Sequence, residues 1–344
     1  MIDNTIQKPL VIPVFLPHLG CPHKCAFCDQ SVITGAGRDY DITEKLKSLV
    51  DEFLNYKKEN RNTVQIAFYG GNFLGLGKKL ILSLLAESAK FIDKGKVDSI
   101  RFSTRPDTID EERLNVIKDF PVSTIEIGVQ SMNDRVLAKA KRGHTCRDTI
   151  NAFGLLKKYG YTIGAQMMVG LPEDNDTIAL ETGRRIVRLS PDFVRIYPTV
   201  VIAGSLLSEW YKNGKYTPMP IDRCVTLVKL LYLMFKKNGI RVIRMGLQAS
   251  KDLDKDSIIL AGPYHPAFGH MVFSESFLDM AAKLVESGGK ANSTTIKIRV
   301  NPNSISKMRG LKNKNIEILK QRFSIKEVSI ISDPIIDIEA CAIT

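Results

Sequence analysis

Three cysteines, Cys21, Cys25 and Cys28, stand within eight residues at C-x3-C-x2-C spacing, with Phe27 just before the last. Thiolates are soft anionic ligands, so such a group points to a metal. An odd cluster leaves a thiol over in any disulfide scheme, and six cysteines in 344 residues do not make a disulfide framework. Two metal readings stay open. Structural zinc wants four ligands, usually paired C-x2-C units, and only His18 or His23 is at hand as the fourth. Alternatively, the three thiolates hold three irons of a 4Fe-4S cube and leave the fourth iron free for a small molecule.

These residues need a scaffold. Val11–Leu16 reads as a strand running into the cysteine loop, and Gly20 frees the backbone for a tight turn. Further strands are expected at 63–69, 99–104, 124–130, 162–169 and 193–197, and a short one at 241–245. Helical spacing falls between them, at 42–58, 78–92, 110–118, 134–141, 147–159, 176–189 and 221–237. Strand and helix alternate about six times, which implies right-handed βαβ units and a parallel sheet. In such sheets ligand loops gather at the C-terminal ends of the strands. The cysteine loop, Gly70-Gly71, Ser103-Thr104, Gln130-Ser131, Gly170-Leu171-Pro172 and Tyr197 all end or follow strands, so one rim carries them. The expected fold is α/β, a partial (β/α)6 TIM-type barrel over 1–248, with a small C-terminal α/β appendage over 249–344. In the appendage, 249–255 reads as a linker, 274–286 as a helix, 293–300 and 328–331 as strands, and 304–323 as a basic helix open to interruption at Gly310.

Apolar content of 44% and charged content of 25% are ordinary for a globular protein. The first residues lack the basic and apolar regions of a signal peptide, and no apolar run approaches membrane-spanning length. A reducing cytoplasm is the expected compartment, with no membrane partner. The net charge of +12 favours a polyanionic partner, RNA first, although a generic basic enzyme carries such a charge too.

The cysteine spacing and Phe27 resemble the radical S-adenosylmethionine (SAM) superfamily. The motifs Phe68-Tyr69-Gly70-Gly71-Asn72-Phe73, Glu126-Ile127-Gly128-Val129-Gln130-Ser131, Lys141-Arg142-Gly143-His144-Thr145, Met168-Val169-Gly170-Leu171-Pro172 and Ile196-Tyr197-Pro198-Thr199 extend it over about residues 8–245. Together they are similar to the radical SAM core of the Elongator catalytic subunit, to YhcC-type proteins, and to the coproporphyrinogen-dehydrogenase-type core. The resemblance implies a 4Fe-4S cluster on Cys21, Cys25 and Cys28. It also implies reductive cleavage of SAM to a 5′-deoxyadenosyl radical that abstracts hydrogen from substrate, and an electron donor of flavodoxin or ferredoxin type. It places Gly70, Gly71, Gln130, Arg142 and Gln166 at SAM-contact positions, and Ser103 where the next strand faces the ligand.

The residues themselves support both a SAM role and a plainer one. Gly70 and Gly71 leave backbone carbonyls open to an ammonium, or make a simple turn. Arg142 matches carboxylate geometry, or is an exposed arginine. Gln130 and Gln166 sit in apolar strands and must find partners, in a bound ribose or in the core. Asn72 replaces the Glu that many superfamily members carry, so a backbone role is expected of it and a charged one is not. The tail is too short for the Elongator subunit's acetyltransferase domain, and acetyl-CoA chemistry is not expected.

Weaker candidates remain. Tyr197 and Met168 line the pocket or pack the core. Cys341 is a tail thiol able to donate hydrogen or ligate, whereas Cys146 and Cys224 read as inert buried thiols. His265 and His270 contact substrate or belong to a turn. The basic run through Lys307, Arg309, Lys312, Lys314, Lys320 and Arg322 meets phosphate or is a solvated face. The first expectation is a radical SAM enzyme acting on RNA, with tRNA as the partner. The alternatives are the same chemistry on a small metabolite or peptide, and a non-catalytic metal protein that binds RNA or another partner.

Overall fold

The computed structural model describes residues 9–22, 24–29, 42–55, 63–247 and 258–344. His23 and the expected linker at 249–255 lie outside them. In chain order the first part runs β1 (Leu10–Phe15), α1 (Ile42–Asn55), β2 (Val64–Tyr69), α2 (Lys78–Asp93), β3 (Ser99–Thr104), α3 (Glu111–Ile117), β4 (Val122–Gln130), α4 (Asp134–Lys139) and α5 (Cys146–Lys158). It continues with β5 (Thr162–Val169), α6 (Asp176–Leu189), β6 (Phe193–Pro198), β7 (Val201–Ile202), α7 (Leu206–Lys212), α8 (Ile221–Lys237) and β8 (Arg241–Met245).

Seven strands form one parallel sheet in the order β1-β2-β3-β4-β5-β6-β8. The short strand expected at 241–245 is β8, the seventh strand of the sheet. Helices cover the outside, so the central strands are buried on both faces: eight of the nine residues of β4 are buried. The sheet curls into a half-barrel. Side chains of β2 and β6 both reach Glu126 on β4. On a flat sheet those two strands would be four spacings, roughly 19 Å, apart, so the face carrying Glu126 is concave.

The second part runs β9 (Ile259–Ala261), α9 (Phe268–Ser287), β10 (Thr295–Val300), α10 (Ile305–Arg309), α11 (Lys314–Phe323), β11 (Glu327–Ser332) and β12 (Cys341–Ile343). β11 pairs parallel and β12 antiparallel with β10. The expected basic helix is two, broken at Gly310, whose φ of 72° a helix does not accept. α9 starts six residues earlier than its spacing suggested. Its Phe268 and Val272 belong to the barrel core, while Phe277, Ala281 and Val285 belong to the C-terminal core. β9 pairs antiparallel with β7, so residues beyond 248 complete the barrel end. Among the described residues no helix is long and apolar enough to cross a membrane.

Candidate active site

The cysteine loop leaves β1 where Leu16 N donates to Tyr69 O at 2.7 Å. It turns through His18 and Gly20, both with positive φ; a Cβ on Gly20 would lie 2.2 Å from Asn72 O. Two backbone bonds then clamp the loop at one residue. Ala26 N donates to Ala140 O at 2.9 Å, and Leu207 N donates to Ala26 O at 2.8 Å. Phe27 packs on Val136, Ala140 and Leu171 on one side and on Val201, Leu207 and Tyr216 on the other. The ends of α4 and α7 thereby fix the loop.

Cys25 is buried, and Cys21 and Cys28 are half-buried. Burial, with Cys25 and Cys21 adding to it and Arg142 opposing, pushes the Cys28 thiol up to about 12. Burial raises Cys21 too, while Arg142 pulls it down. Three thiolates in one place thus need a cationic partner. Arg142 is one: buried, it donates from Nη1 to Cys25 Sγ at 3.4 Å and from Nη2 to Gly128 O at 2.9 Å. Among the described residues no three His, Cys, Asp or Glu side chains converge as a single metal ion requires. In a cube each thiolate binds its own iron.

The same end of β4 makes room for Arg142. A Cβ on Gly128 would lie 2.6 Å from Arg142 Nη2 and 2.9 Å from Gln130 Nε2. Gln130 has a φ of 62°, and its buried Oε1 has no hydrogen-bond partner among the described residues. A buried acceptor of this kind fits a hydroxyl such as a ribose supplies. Gly71 packs so closely on the β1 loop that a Cβ would lie 2.5 Å from Leu16 O, and Gly70 has a φ of 86°. These features suit a SAM molecule laid along the rim beside the cysteines.

Asn72 also has a task inside the protein. It is fully buried. Nδ2 donates to Gly20 O at 2.8 Å, and Oδ1 accepts from Thr104 Oγ1, Arg105 N and Thr108 Oγ1 at 2.7, 3.0 and 2.9 Å. Its N donates to Leu19 O, and its O accepts from Gly75 N. With these bonds inside the protein, it pins the cysteine loop.

Gln166 and Ser103 meet each other at 3.0 Å and join a network that sequence reasoning missed. Its centre is Glu126, fully buried. Glu126 Oε1 accepts from Tyr69 Oη at 2.9 Å, from Arg195 Nη2 at 3.1 Å and from Arg101 Nη2; Oε2 accepts from Gln166 Nε2 at 2.9 Å and pairs with Arg195 Nε at 2.8 Å. Burial pushes this carboxyl up, but Arg195 and Arg101 outweigh it, and the net direction is down. Tyr197 stands beside Arg195; burial lowers that guanidinium's pKa, but Tyr197 and Glu126 outweigh it, and the net direction is up. The available signal was a charge in an apolar strand: Arg101, Glu126 and Arg195 each sit in one, and a buried charge must be paired.

The remaining candidates have partners of their own. Cys341 pairs with Val300 in β12 and packs on the C-terminal core, where burial pushes its thiol up to about 11. His265 accepts Ala267 N at 3.0 Å and so shapes the start of α9. His270 lies inside α9 beside Ser274, its pKa lowered by burial and by Lys307. Cys146 and Cys224 are buried on α5 and α8.

A parallel half-barrel with a C-x3-C-x2-C loop at the C-terminal end of its first strand defines a class, and comparison with known families agrees. The Radical SAM superfamily matches residues 15–186, half of the chain, and the Radical_SAM C-terminal domain matches 191–276. The chain belongs to the radical SAM superfamily and is an enzyme of that class. It is 26% identical over 251 residues to the tRNA uridine(34) acetyltransferase of Dehalococcoides mccartyi, covering 64% of this chain and 55% of that protein. It is 30% identical over 210 residues to Elongator complex protein 3 of Saccharomyces cerevisiae, covering 55% of this chain and 37% of that protein. Its fold is similar to that of the archaeal Methanocaldococcus infernus Elp3 with an N-terminus deletion, with a TM-score of 0.62 at 22% identity, covering 83% of this chain and 64% of that one. The chain spans about half the length of the tRNA uridine(34) acetyltransferases it matches.

Proposed function

We propose that Cys21, Cys25 and Cys28 hold a 4Fe-4S cluster with SAM on its fourth iron, and that the enzyme modifies RNA, tRNA in particular. Bound there, the pair would supply one-electron cleavage of the sulfonium and hydrogen abstraction from an unreactive C–H. Arg142 carries the reading: it is a buried cation on Cys25 Sγ, held on β4 beside the vacant acceptor of Gln130. It would balance thiolate charge and set the loop. Gln130 Oε1 would accept a ribose hydroxyl, and the Gly70-Gly71 carbonyls would accept from the ammonium. Ser103, Gln166 and the Glu126 network would hold the polar concave wall behind the substrate, with Tyr197 at its edge.

The RNA part rests on the names of the relatives and the net charge of +12. An acidic one-electron carrier, of flavodoxin or ferredoxin type, would reduce the cluster. Six free thiols suit a reducing compartment, the cytoplasm. The test is anaerobic. The chain is reconstituted with iron and sulfide, reduced and given SAM, and 5′-deoxyadenosine is measured with and without bulk tRNA, beside Cys25→Ala. Formation by wild type alone, stimulated by tRNA, is expected. Intact SAM in the wild-type sample refutes the chemistry; indifference to tRNA refutes the substrate class.

A further inference from the structure

The seven strands of the sheet carry four arginines, Arg101, Arg195, Arg241 and Arg244, against one carboxylate, Glu126, and no lysine. Glu126 has both oxygens engaged, by Arg101, Arg195, Tyr69 and Gln166. Arg244 is half-buried and has no ion pair among the described residues.

A bulge puts Arg244 on the concave face. Val194 pairs with Val242, but Arg195 pairs with Arg244, so Ile243 is an extra residue in β8. Val242 and Met245, on either side, pack on the barrel core under the helices. In a regular ladder Ile243 would stand opposite Arg195, and Arg244 would turn toward the helices with Ile196. The extra residue re-aims Arg244 and sets it beside Arg195. Like charges directly opposite on neighbouring strands are destabilising. Glu126 answers Arg195, and the charge of Arg244 is left over.

The pair is open to a ligand. Gly128, Gln166, Arg195 and Arg244 form one row across β4, β5, β6 and β8. Gln166, Arg195 and Arg244 are partly exposed, whereas Ala165, Met167, Val194 and Ile196, which point the other way, are buried. Gly128, at the far end of the row, accepts from Arg142, the cation on Cys25. Arg244 is three strand spacings from it, about 14 Å measured flat and less on the curl. A substrate that faces the cysteine loop would thus have its far end at Arg195 and Arg244. A guanidinium offers paired donors in one plane, which match a phosphate or a carboxylate.

We propose that Arg244, together with Arg195, binds an oxyanion of the substrate, a phosphate or a carboxylate, and so turns the reacting carbon toward the cysteine loop. The proposal rests on the radical chemistry read at the cysteines and adds the charge that the substrate brings. A phosphate would come from a nucleotide and a carboxylate from an organic acid; the recognition at the arginines is the same.

The test uses the full chain reconstituted with iron and sulfide and kept in excess SAM, so that the carboxylate of SAM is already placed. Inorganic phosphate and succinate are titrated calorimetrically, at matched ionic strength in chloride, against wild type, Arg244→Gln, Arg244→Lys and Arg241→Gln. Arg241 is the control, an exposed arginine at the other end of the same strand. At least one oxyanion is expected to bind wild type about tenfold more tightly than Arg244→Gln, with Arg244→Lys between them and Arg241→Gln like wild type. Preference for phosphate assigns the site to a nucleotide, and preference for succinate assigns it to an organic acid. Since Arg244 faces a like charge, Arg244→Gln should melt no lower than wild type in chloride. A clearly lower melt gives the arginine a structural task and overturns the proposal. Oxyanion binding that is absent from wild type, or equal in wild type and Arg244→Gln, overturns it as well. So does a loss of SAM affinity in that variant, which would give the arginine to the cofactor. Formation of 5′-deoxyadenosine, measured in parallel, separates the two claims. If SAM is cleaved and no oxyanion depends on Arg244, the arginine site falls and the radical reading stands. If an oxyanion depends on Arg244 and SAM stays intact, the site stands and the radical reading falls.

Discussion

Replacing Glu126 by Gln probes the concave wall most directly. The carboxylate sits fully buried between two guanidiniums. Its Oε1 takes three donors, from Tyr69, Arg101 and Arg195, and its Oε2 takes Gln166 and pairs with Arg195. An amide keeps the shape but removes the charge and puts a donor on one side, facing donors whichever way it turns. Breaking a buried pair in this way costs roughly 3–5 kcal/mol, because two cations stay buried without their anion. At about 2 °C per kcal/mol for a chain of this size, Tm should fall by about 6–10 °C. The pH dependence has a definite sign. The folded carboxyl is depressed below its ordinary 4.5, so its stabilisation is present above that value and is lost only as pH falls through the depressed value. The gap between wild type and Glu126→Gln should therefore be constant between about pH 6 and pH 8 and close only in acid. Far-UV circular dichroism melts of the two proteins measure it. A variant melting within about 1 °C of wild type, or a gap that changes between those two pH values, would refute the reasoning.

Arg142→Met should leave the thiolates without their cation. Formation of 5′-deoxyadenosine should fall about 10–100-fold, and the cluster's potential, followed by electron paramagnetic resonance, should become more negative. Gly128→Ala should move both readouts the same way, because its methyl group occupies the place of Arg142 Nη2, 2.6 Å from the ideal Cβ. Asn72→Ala removes one donated and three accepted bonds from a fully buried side chain; a loss of about 2–4 kcal/mol is expected, read as a drop in Tm.

What could be read in the sequence was local. Cysteine spacing, strand patterning and the glycines that follow the strands are short-range signals, and they place the loop, the parallel sheet and the rim. Contacts between distant residues were less legible. Arg142 and Cys25 are 117 positions apart, and only a resemblance suggested that the arginine belonged to the site. Glu126 stands 25 positions from Arg101 and 69 from Arg195. Each charge alone looks like an error in an apolar strand; together they pair across the curl of the sheet. The partners of the Asn72 side chain were hidden for the same reason. After two glycines it reads as an open loop, and only the packing shows that Thr104, Arg105 and Thr108 take up its side chain.

The region beyond the barrel shows why change of composition is a poor guide to where a core ends. Sequence rhythm stops near 248, but apolar packing does not. α9 carries the barrel core through Val272 and takes up the second core at Phe277, about a turn and a half further on. The same stretch answers α8: Lys229 Nζ, buried, bonds Glu275 Oε1 at 2.8 Å and Asp279 Oδ2 at 2.5 Å. The chain end closes on the same helix, where Glu339 accepts from Tyr232 Oη at 2.7 Å and pairs with Lys236. A helix shared by two cores makes each core a condition for the other. The three-stranded sheet therefore works as a buttress for α8, and α8 in turn supports the seventh strand.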